Sequence, residues 1–252
     1  MKLNILPLGY CGNDKEKIFT PKKDYGEWIE VPIWATLIQS DNLNILVDTG
    51  MHPQHIEEPG ATFAGTPYEG WILPKMDWAD SLNSRLEEIG LKPKDINIVI
   101  NTHLHFDHAG GNYLFPHATF LVQGDHFQHA LEMPEAFPPK YYLIPGLNYD
   151  RLGGEITLIP GVDIIRSPGH VPGMQTVIVR LSQSGTIVLA SDAISLKEHL
   201  VEDHWEGYWN PKLARSSALR MRTIASMENG NIFYGHDPDW WKSVRKSPEY
   251  YA

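Results

Sequence analysis

The order of apolar and polar stretches along the chain predicts a mixture of strands and helices. The runs Ile33–Ser40 and Leu43–Val47 are mostly apolar and flank the polar pair Asp41 and Asn42. Because such a pair favours a turn, the two runs are predicted to form a β-hairpin. Residues 1–7 are interpreted as another short strand. Further apolar runs of strand length occur at 96–101, 119–122, 162–167, 175–181, 186–190 and 231–233.

Three longer stretches predict helices. In Asp77–Gly90 apolar side chains recur on one face, and the closing glycine is typical of a helix end. Gly124–Glu132 is interpreted as a second helix. Asn210–Pro211 predicts the start of a third, ending near Met227, because proline favours the first helical turn. The apolar face of the first helix would consist of Trp78, Leu82, Leu86 and Ile89.

The segments between these elements are long and rich in glycine, proline and aromatic residues. They span 10–30, 59–76 and 133–149. Long loops in a compact domain are often lids or binding loops, so these segments are interpreted as the walls of a pocket. The aromatic residues that could line it are Phe19, Trp28, Phe63, Tyr68 and Trp71.

The densest group of chemically active residues follows the predicted strand 96–101. His103, His105, Asp107 and His108 lie within six positions. Alternate residues of an extended segment point the same way, so His103 and His105 can face one metal ion. If a helix begins there, Asp107 and His108 turn toward a neighbouring position. Nitrogen and oxygen ligands without thiolates suit zinc, iron, cobalt or manganese. Open sites of this kind keep a position for water or substrate, which indicates hydrolytic metal chemistry.

Matching ligands follow three later strands. His170 comes after the apolar stretch that begins at Val162, Asp192 comes after 186–189, and His236 comes after 231–233. Residues just beyond strand ends lie on loops held by a rigid scaffold, where functional groups are common. Four such strand ends meeting at one edge would bring together seven ligands.

These motifs resemble the metallo-β-lactamase superfamily, whose signature is HxHxDH followed by separated His, Asp and His. Within it the chain is similar nearly end to end to the N-acyl-homoserine lactonases. The similarity includes Val31–Trp34, Leu46–Gly50, the segment EGWILPKM at Glu69–Met76, and the final Gly235-His236-Asp237. It implies an α/β fold of the αββα type, in which two packed mixed β-sheets are flanked by helices. It also implies that residues 1–252 form a single hydrolase domain.

The family pattern implies a role for each ligand. It assigns His103, His105 and His170 to one metal ion, it assigns Asp107, His108 and His236 to the other, and it makes Asp192 the bridge between them. Asp48 would orient a ligand histidine through a hydrogen bond. Phe106, Phe63 and Ser195 are expected to contact substrate. The remaining histidines, including His52, His55, His126, His129 and His204, are interpreted as surface or packing residues.

One position departs from the family pattern. Lactonases of this group usually carry a tyrosine three residues after the bridging aspartate, where its hydroxyl meets the lactone carbonyl. This chain has Ser195 there, and a serine hydroxyl is too short to reach the same point without a water molecule. Three explanations stay open. The metal alone polarises the carbonyl, or Tyr208 or Tyr25 takes the role, or the preferred substrate differs.

The resemblance implies a dinuclear-metal hydrolase that opens the ring of N-acyl-homoserine lactones, an activity that quenches quorum sensing. A hydroxide bridging two divalent ions, zinc first and iron, cobalt or manganese as alternatives, would attack the carbonyl. Asp107 would orient this nucleophile and pass a proton to the departing alkoxide. The alternatives are a hydrolase of another lactone, a thioesterase of the glyoxalase II type, and a metal protein that binds a ligand without turnover.

The composition of the chain limits the classes of partner that it is expected to bind. A formal charge of −10 over 252 residues provides no basic footprint for nucleic acid. The single cysteine, Cys11, allows no intramolecular disulfide, which fits a reducing cytoplasm. The chain start does not have the pattern of a signal peptide, and no apolar run has the length of a membrane span. With nucleic acid and membrane not expected as partners, the resemblance implies a small acyl lactone as the substrate of a cytoplasmic monomer or homodimer.

Overall fold

The computed structural model of the protein describes residues 1–41 and 43–252. Its strands are β1 Lys2–Asp14, β2 Trp28–Ser40, β3 Leu43–Val47, β4 Ile72–Lys75, β5 Ile98–Ile100, β6 Thr119–Gln123, β7 Asn148–Leu152, β8 Ile156–Ile159, β9 Val162–Arg166, β10 Gln175–Leu181, β11 Gly185–Ser191 and β12 Asn231–Tyr234. Its helices are α1 Lys15–Ile18, α2 Gln54–Glu57, α3 Leu82–Glu88, α4 Phe106–Ala109, α5 Gly124–Glu132, α6 Lys197–Glu202, α7 Pro211–Met227 and α8 Pro238–Trp241.

The strands form two sheets, and each contains both parallel and antiparallel pairs. The first has the order β4-β1-β2-β3-β5-β6-β7, and the second has the order β12-β11-β10-β9-β8. In the first sheet β3, β5, β6 and β7 run parallel, while β1 pairs antiparallel with both β2 and β4. In the second sheet β11 and β12 are the parallel pair. This is the predicted arrangement of two mixed sheets, with helices on their outer faces.

Alternation along the strands divides the buried side chains between two clusters. In β5, Ile100 belongs to a cluster formed by residues of both sheets, whereas its neighbour Val99 packs in the other cluster with residues of the helices. Leu37 and Ile38 of β2 divide in the same way. Strands that are covered on both faces have nearly continuous apolar sequences. This explains why the sequence shows them as unbroken hydrophobic runs.

Most of the predicted elements are present. The hairpin of β2 and β3 pairs Ser40 with Leu43, and Asn42 of its turn lies outside the described residues. Helix α5 has the predicted bounds. Helix α7 begins after Asn210, whose side chain accepts a hydrogen bond from the Leu213 backbone amide. No helix in the described part of the chain is both long and apolar enough to span a membrane.

The helix predicted at Asp77–Gly90 was wrong in its first half. A short 3₁₀ turn covers Trp78–Asp80, and Ser81 then adopts an extended conformation that starts α3 at Leu82. The Ser81 side chain accepts a hydrogen bond from the Ser84 amide, so a new cap interrupts the continuous pattern. As a result Trp78 is 63% exposed and is not part of the buried face.

The predicted loops also contain regular structure. Residues 10–14 and 28–30 belong to β1 and β2, residues 72–75 form β4, and residues 148–149 begin β7. The sequence does not predict these strands, because their glycine and aromatic content is typical of loops. In the structure the β1–β2 pair continues past an irregularity between Pro7 and Tyr10. What remains of the first loop is 15–27, which contains α1.

Candidate metal centre and adjoining cavity

Four strand ends place the seven candidate ligands at one edge of the two sheets. His103 and His105 follow β5, and the short helix α4 begins directly after them and carries Asp107 and His108. The other three ligands come from the second sheet. His170, Asp192 and His236 follow β9, β11 and β12, respectively.

Three imidazole nitrogens face one another in the first group of ligand atoms. Nδ1 of His105 lies 2.9 Å from Nε2 of His103 and 3.1 Å from Nε2 of His170. Oδ2 of Asp192 lies 3.4 Å from the same nitrogen of His170. The ligand atoms of these four residues all lie within 4.8 Å of one another. That spacing is close enough for them to share a single metal ion.

The second group consists of Asp107, His108 and His236, whose ligand atoms also lie within 4.8 Å of one another. Oδ2 of Asp107 lies 3.7 Å from Nε2 of His108 and 3.5 Å from Nε2 of His236. Oδ1 of Asp192 lies 3.3 Å from Nε2 of His108 and 3.0 Å from Nε2 of His236. Asp192 therefore turns one carboxylate oxygen toward each group.

The residues present fit divalent metal ions. Nε2 of His108 and Oδ1 of Asp192 are buried, and neither has a hydrogen-bond partner within the described part of the chain. Buried polar atoms are nearly always paired. These two unpaired atoms lie where the two groups of ligands meet, which indicates that a ligand binds there. Five imidazoles and two carboxylates without a thiolate form a donor set that binds zinc and similar ions.

A further layer of hydrogen bonds orients the candidate ligands. Oδ2 of Asp48 lies 2.8 Å from Nδ1 of His108, and Nδ1 of His236 lies 3.0 Å from the backbone oxygen of Pro32. Each contact leaves Nε2 directed at the group centre, as is usual for metal-binding histidines. Asp48 has φ +60, a left-handed conformation that non-glycine residues rarely adopt. Its backbone is held in this conformation while its carboxylate also accepts hydrogen bonds from Thr102 N and Oγ1.

Burial and charge divide the imidazoles into two kinds. Burial, reinforced by the neighbouring imidazoles, holds the pKa of His103 and of His105 well below its usual value. Burial alone would also lower the pKa of His108, but nearby carboxylates, chiefly those of Asp107 and Asp48, raise it well above its usual value. The first group therefore offers neutral nitrogen donors, and the second is dominated by negative charge.

A cavity of about 310 Å³ opens beside both groups of ligands. Phe106 and Phe63 line it, with their ring centroids 4.9 Å apart in an edge-to-face arrangement. Ser195 also lines it. The structure thus places the three residues expected to contact substrate at one cavity. Its wall is completed by aliphatic and aromatic side chains that include Val31, Ile72, Phe137 and Val171.

The hydroxyl group of Tyr208 donates its hydrogen to His199. Nε2 of His199 lies 3.2 Å from the backbone oxygen of Phe19, and a carbonyl only accepts, so Nε2 carries the hydrogen of this imidazole. Burial lowers the pKa of His199 to about 4, so the ring is neutral and Nδ1 accepts the Tyr208 hydroxyl hydrogen at 2.9 Å. The same hydrogen cannot serve Ser195 Oγ at 3.3 Å. The Tyr208 ring still lines the cavity, 5.6 Å from that of His170.

Several cavity residues differ from the sequence interpretation. Trp28 and Trp71 are not among the described residues that line the cavity, and neither is Tyr25, which is 72% exposed. His129, interpreted as a surface or packing residue, does line it, as do Met133 and Trp209. No short motif marks these residues. Only the richness of the loop 133–149 in bulky side chains pointed to this side of the cavity.

Comparison with known proteins agrees with this geometry. The model of the metallo-beta-lactamase superfamily matches residues 28–247. The N-acyl homoserine lactonase AiiA of Bacillus thuringiensis subsp. kurstaki is 37% identical, and the match covers 99% of this chain and 98% of that protein. A solved N-acyl homoserine lactone hydrolase, with the product N-hexanoyl-L-homoserine bound at its catalytic metal centre, superposes with a TM-score of 0.92. It is 36% identical, with coverage of 99% of this chain and 98% of the other.

Proposed function

The chain belongs to the metallo-β-lactamase superfamily, and on that premise we propose that it hydrolyses N-acyl-homoserine lactones. The observation that supports this most directly is the position of Asp192, whose two carboxylate oxygens face two separate groups of ligands at the floor of a largely apolar cavity. A ring-opening hydrolase needs both parts, a hydrolytic centre and a dry wall for the acyl chain. Relatives that match over nearly the whole chain are N-acyl homoserine lactonases.

Two divalent ions, zinc by preference, would be held by the two groups. His103, His105 and His170 would hold one, Asp107, His108 and His236 would hold the other, and Asp192 would contact both. Bound there, the ions would supply Lewis acidity and lower the pKa of a water molecule enough to make it a nucleophile near neutral pH.

Asp107 is the residue that we assign to proton transfer. Its carboxylate lies at the floor of the cavity, next to His108 and His236. From this position the carboxylate oxygen that does not hold the metal could accept a proton from the attacking water and donate it to the ring oxygen that leaves. Asp107 would therefore both orient the nucleophile and prevent the alkoxide from reclosing the ring.

Ser195 is the hydroxyl that we assign to the substrate carbonyl. The Tyr208 hydrogen is directed to His199, whereas the only hydrogen-bond contacts of Ser195 Oγ within the described residues are long, at 3.3 Å to Tyr208 and 3.5 Å to the Asp192 backbone oxygen. Ser195 Oγ is thus free to turn toward the cavity. Since its side chain is short, a bridging water completes the contact.

The test is proton release by purified, metal-loaded protein with short-chain and long-chain N-acyl-homoserine lactones. Parallel samples contain a chelator, and a glutathione thioester serves as the competing substrate class. Fast, chelator-sensitive ring opening of the acyl lactones is the expected result. If a preparation carrying two metal ions per chain hydrolyses the thioester but not the lactones, the proposed function is wrong.

A further inference from the structure

We infer that His126 is a positioning residue of the metal centre, because it ties the loop of His103 and His105 to the loop of His170. This inference rests on the metal centre proposed above and goes beyond it, since His126 is not itself a ligand. It acts through the backbone of the two ligand loops.

Both nitrogens of His126 are bonded to these loops. The backbone amide of Leu104, between His103 and His105, donates to Nε2 of His126 at 2.9 Å. Nδ1 of His126 lies 3.0 Å from the backbone oxygen of Pro172, two residues after His170. Because the carbonyl can only accept, Nδ1 carries the hydrogen and Nε2 is the acceptor. Burial lowers the pKa of His126 to about 3, so this neutral form persists at ordinary pH.

The surroundings leave the ring little freedom. His126 is completely buried in the first turn of α5, and the Phe137 ring packs against its edge at 5.3 Å. The same Phe137 ring stacks on His105 at 4.6 Å with an interplanar angle of 4°. A side chain at Gly173 would approach the His126 backbone nitrogen to 2.6 Å, so the loop after His170 lies directly on the start of this helix.

This geometry differs from that of a histidine buried only to fill space. The Leu104 amide belongs to a segment with no strand partner at that point, and His126 provides its acceptor. Losing the imidazole would leave the buried Leu104 amide and the partly buried Pro172 carbonyl without these partners, which is unfavourable for polar groups shielded from water. The two loops would then lose this direct connection, and His103, His105 and His170 would be held less firmly relative to one another.

Metal affinity measured by chelator competition tests the inference, with Co(II) absorption spectra of the same samples as a second readout. His126→Leu removes both bonds, His126→Gln can retain the acceptor for Leu104, and His126→Asn can retain the donor for Pro172. The matched control is His55→Leu. His55, in α2, is also buried and is bonded through both nitrogens, to Pro59 and Thr62, and the segment around it carries no proposed ligand.

We expect His126→Leu to lose about ten-fold or more in metal affinity, the lower end of the range for residues that support metal ligands. The Gln and Asn variants should recover part of that loss, and His55→Leu should lower the melting temperature without changing affinity. The inference is overturned if folded His126→Leu binds metal as tightly as the parent, or if Gln and Asn bind no better than Leu. A parent that binds no metal overturns this inference and the proposed function together. A metal-loaded parent without lactone turnover overturns only the proposed function.

Discussion

The candidate metal centre and the cavity wall beside it are held in place by different forces. Around the centre, directional hydrogen bonds orient the ligands, as Asp48 does for His108 and the Pro32 carbonyl does for His236. Along the wall the contacts are mainly between apolar surfaces, and Met133 at its rim is 47% exposed. Apolar contacts have no fixed direction, so the wall can change shape at little cost. Substitutions in the two regions should therefore affect different kinetic parameters.

The largest effect is expected from Asp107→Asn. The amide cannot take the proton from the attacking water, so kcat should fall by about 10²–10⁴-fold, the usual contribution of a general acid–base group. The measurement is steady-state turnover together with metal content. Asp150→Asn, at an exposed position of β7, is the matched control and should behave as the parent. Near-parental turnover by metal-loaded Asp107→Asn would contradict the assigned role.

The next effect is expected from Asp48→Asn, which keeps the side-chain shape and tolerates the left-handed backbone. The variant loses the charge that orients His108, so metal affinity should fall by about 10–100-fold. Chelator titration measures this loss. At saturating metal concentration, kcat should stay close to that of the parent, because Asp48 is not one of the described residues that line the substrate cavity. Unchanged affinity would show that His108 needs no such support.

A smaller effect separates Ser195 from Tyr208. Ser195→Ala should lower kcat/KM by about five-fold, because one hydrogen bond contributes about 1 kcal/mol. Tyr208→Phe should change kcat/KM less, and it should mainly lower stability, because it leaves Nδ1 of His199 and the Ser195 amide without their partner. Kinetics and thermal denaturation of both variants give the comparison. The opposite order of effects on kcat/KM would assign the carbonyl contact to Tyr208.

The smallest effect is expected at the rim of the cavity. Met133→Ala removes apolar surface, so KM for long-chain acyl lactones should rise a few-fold while KM for short-chain substrates stays the same. Leu131→Ala is the control, because Leu131 is similarly exposed but does not belong to the described cavity lining. An equal change in KM for short and long chains would show that the acyl chain lies elsewhere.

The two regions also differ in how far the sequence predicts them. The candidate ligands are visible because each follows an apolar strand, and strand ends can be located from local periodicity. The residues around them are not visible in this way. His126 and His199 form bonds with backbone groups of Leu104, Pro172 and Phe19, and no local pattern encodes those distant partners.

The errors in the fold have similar causes. The pattern at Asp77–Gly90 has helical spacing throughout, but Ser81 provides a cap that restarts the helix. Strand β4 and the end of β1 lie in segments that the sequence interprets as loops, because local periodicity does not reveal that they pair with each other. Cys11 of β1, for example, pairs with Pro74 of β4. Periodicity predicts which segments are regular, but it does not show that a local cap restarts a helix, and the pairing of the edge strand β4 with β1 depends on tertiary contacts.

The division of the ligands between the two sheets has a consequence for stability. His103, His105, Asp107 and His108 come from the half of the chain that ends with β7 at Leu152, and the other three ligands come from the half that begins with β8 at Ile156. Ions shared by both halves would act as a cross-link between them. Ligand binding to the native state stabilises it by about 2.7 kcal/mol at a hundred times the dissociation constant. The melting temperature should therefore rise with free zinc concentration, and in zinc-poor surroundings cleavage near Gly153 should separate the halves more readily.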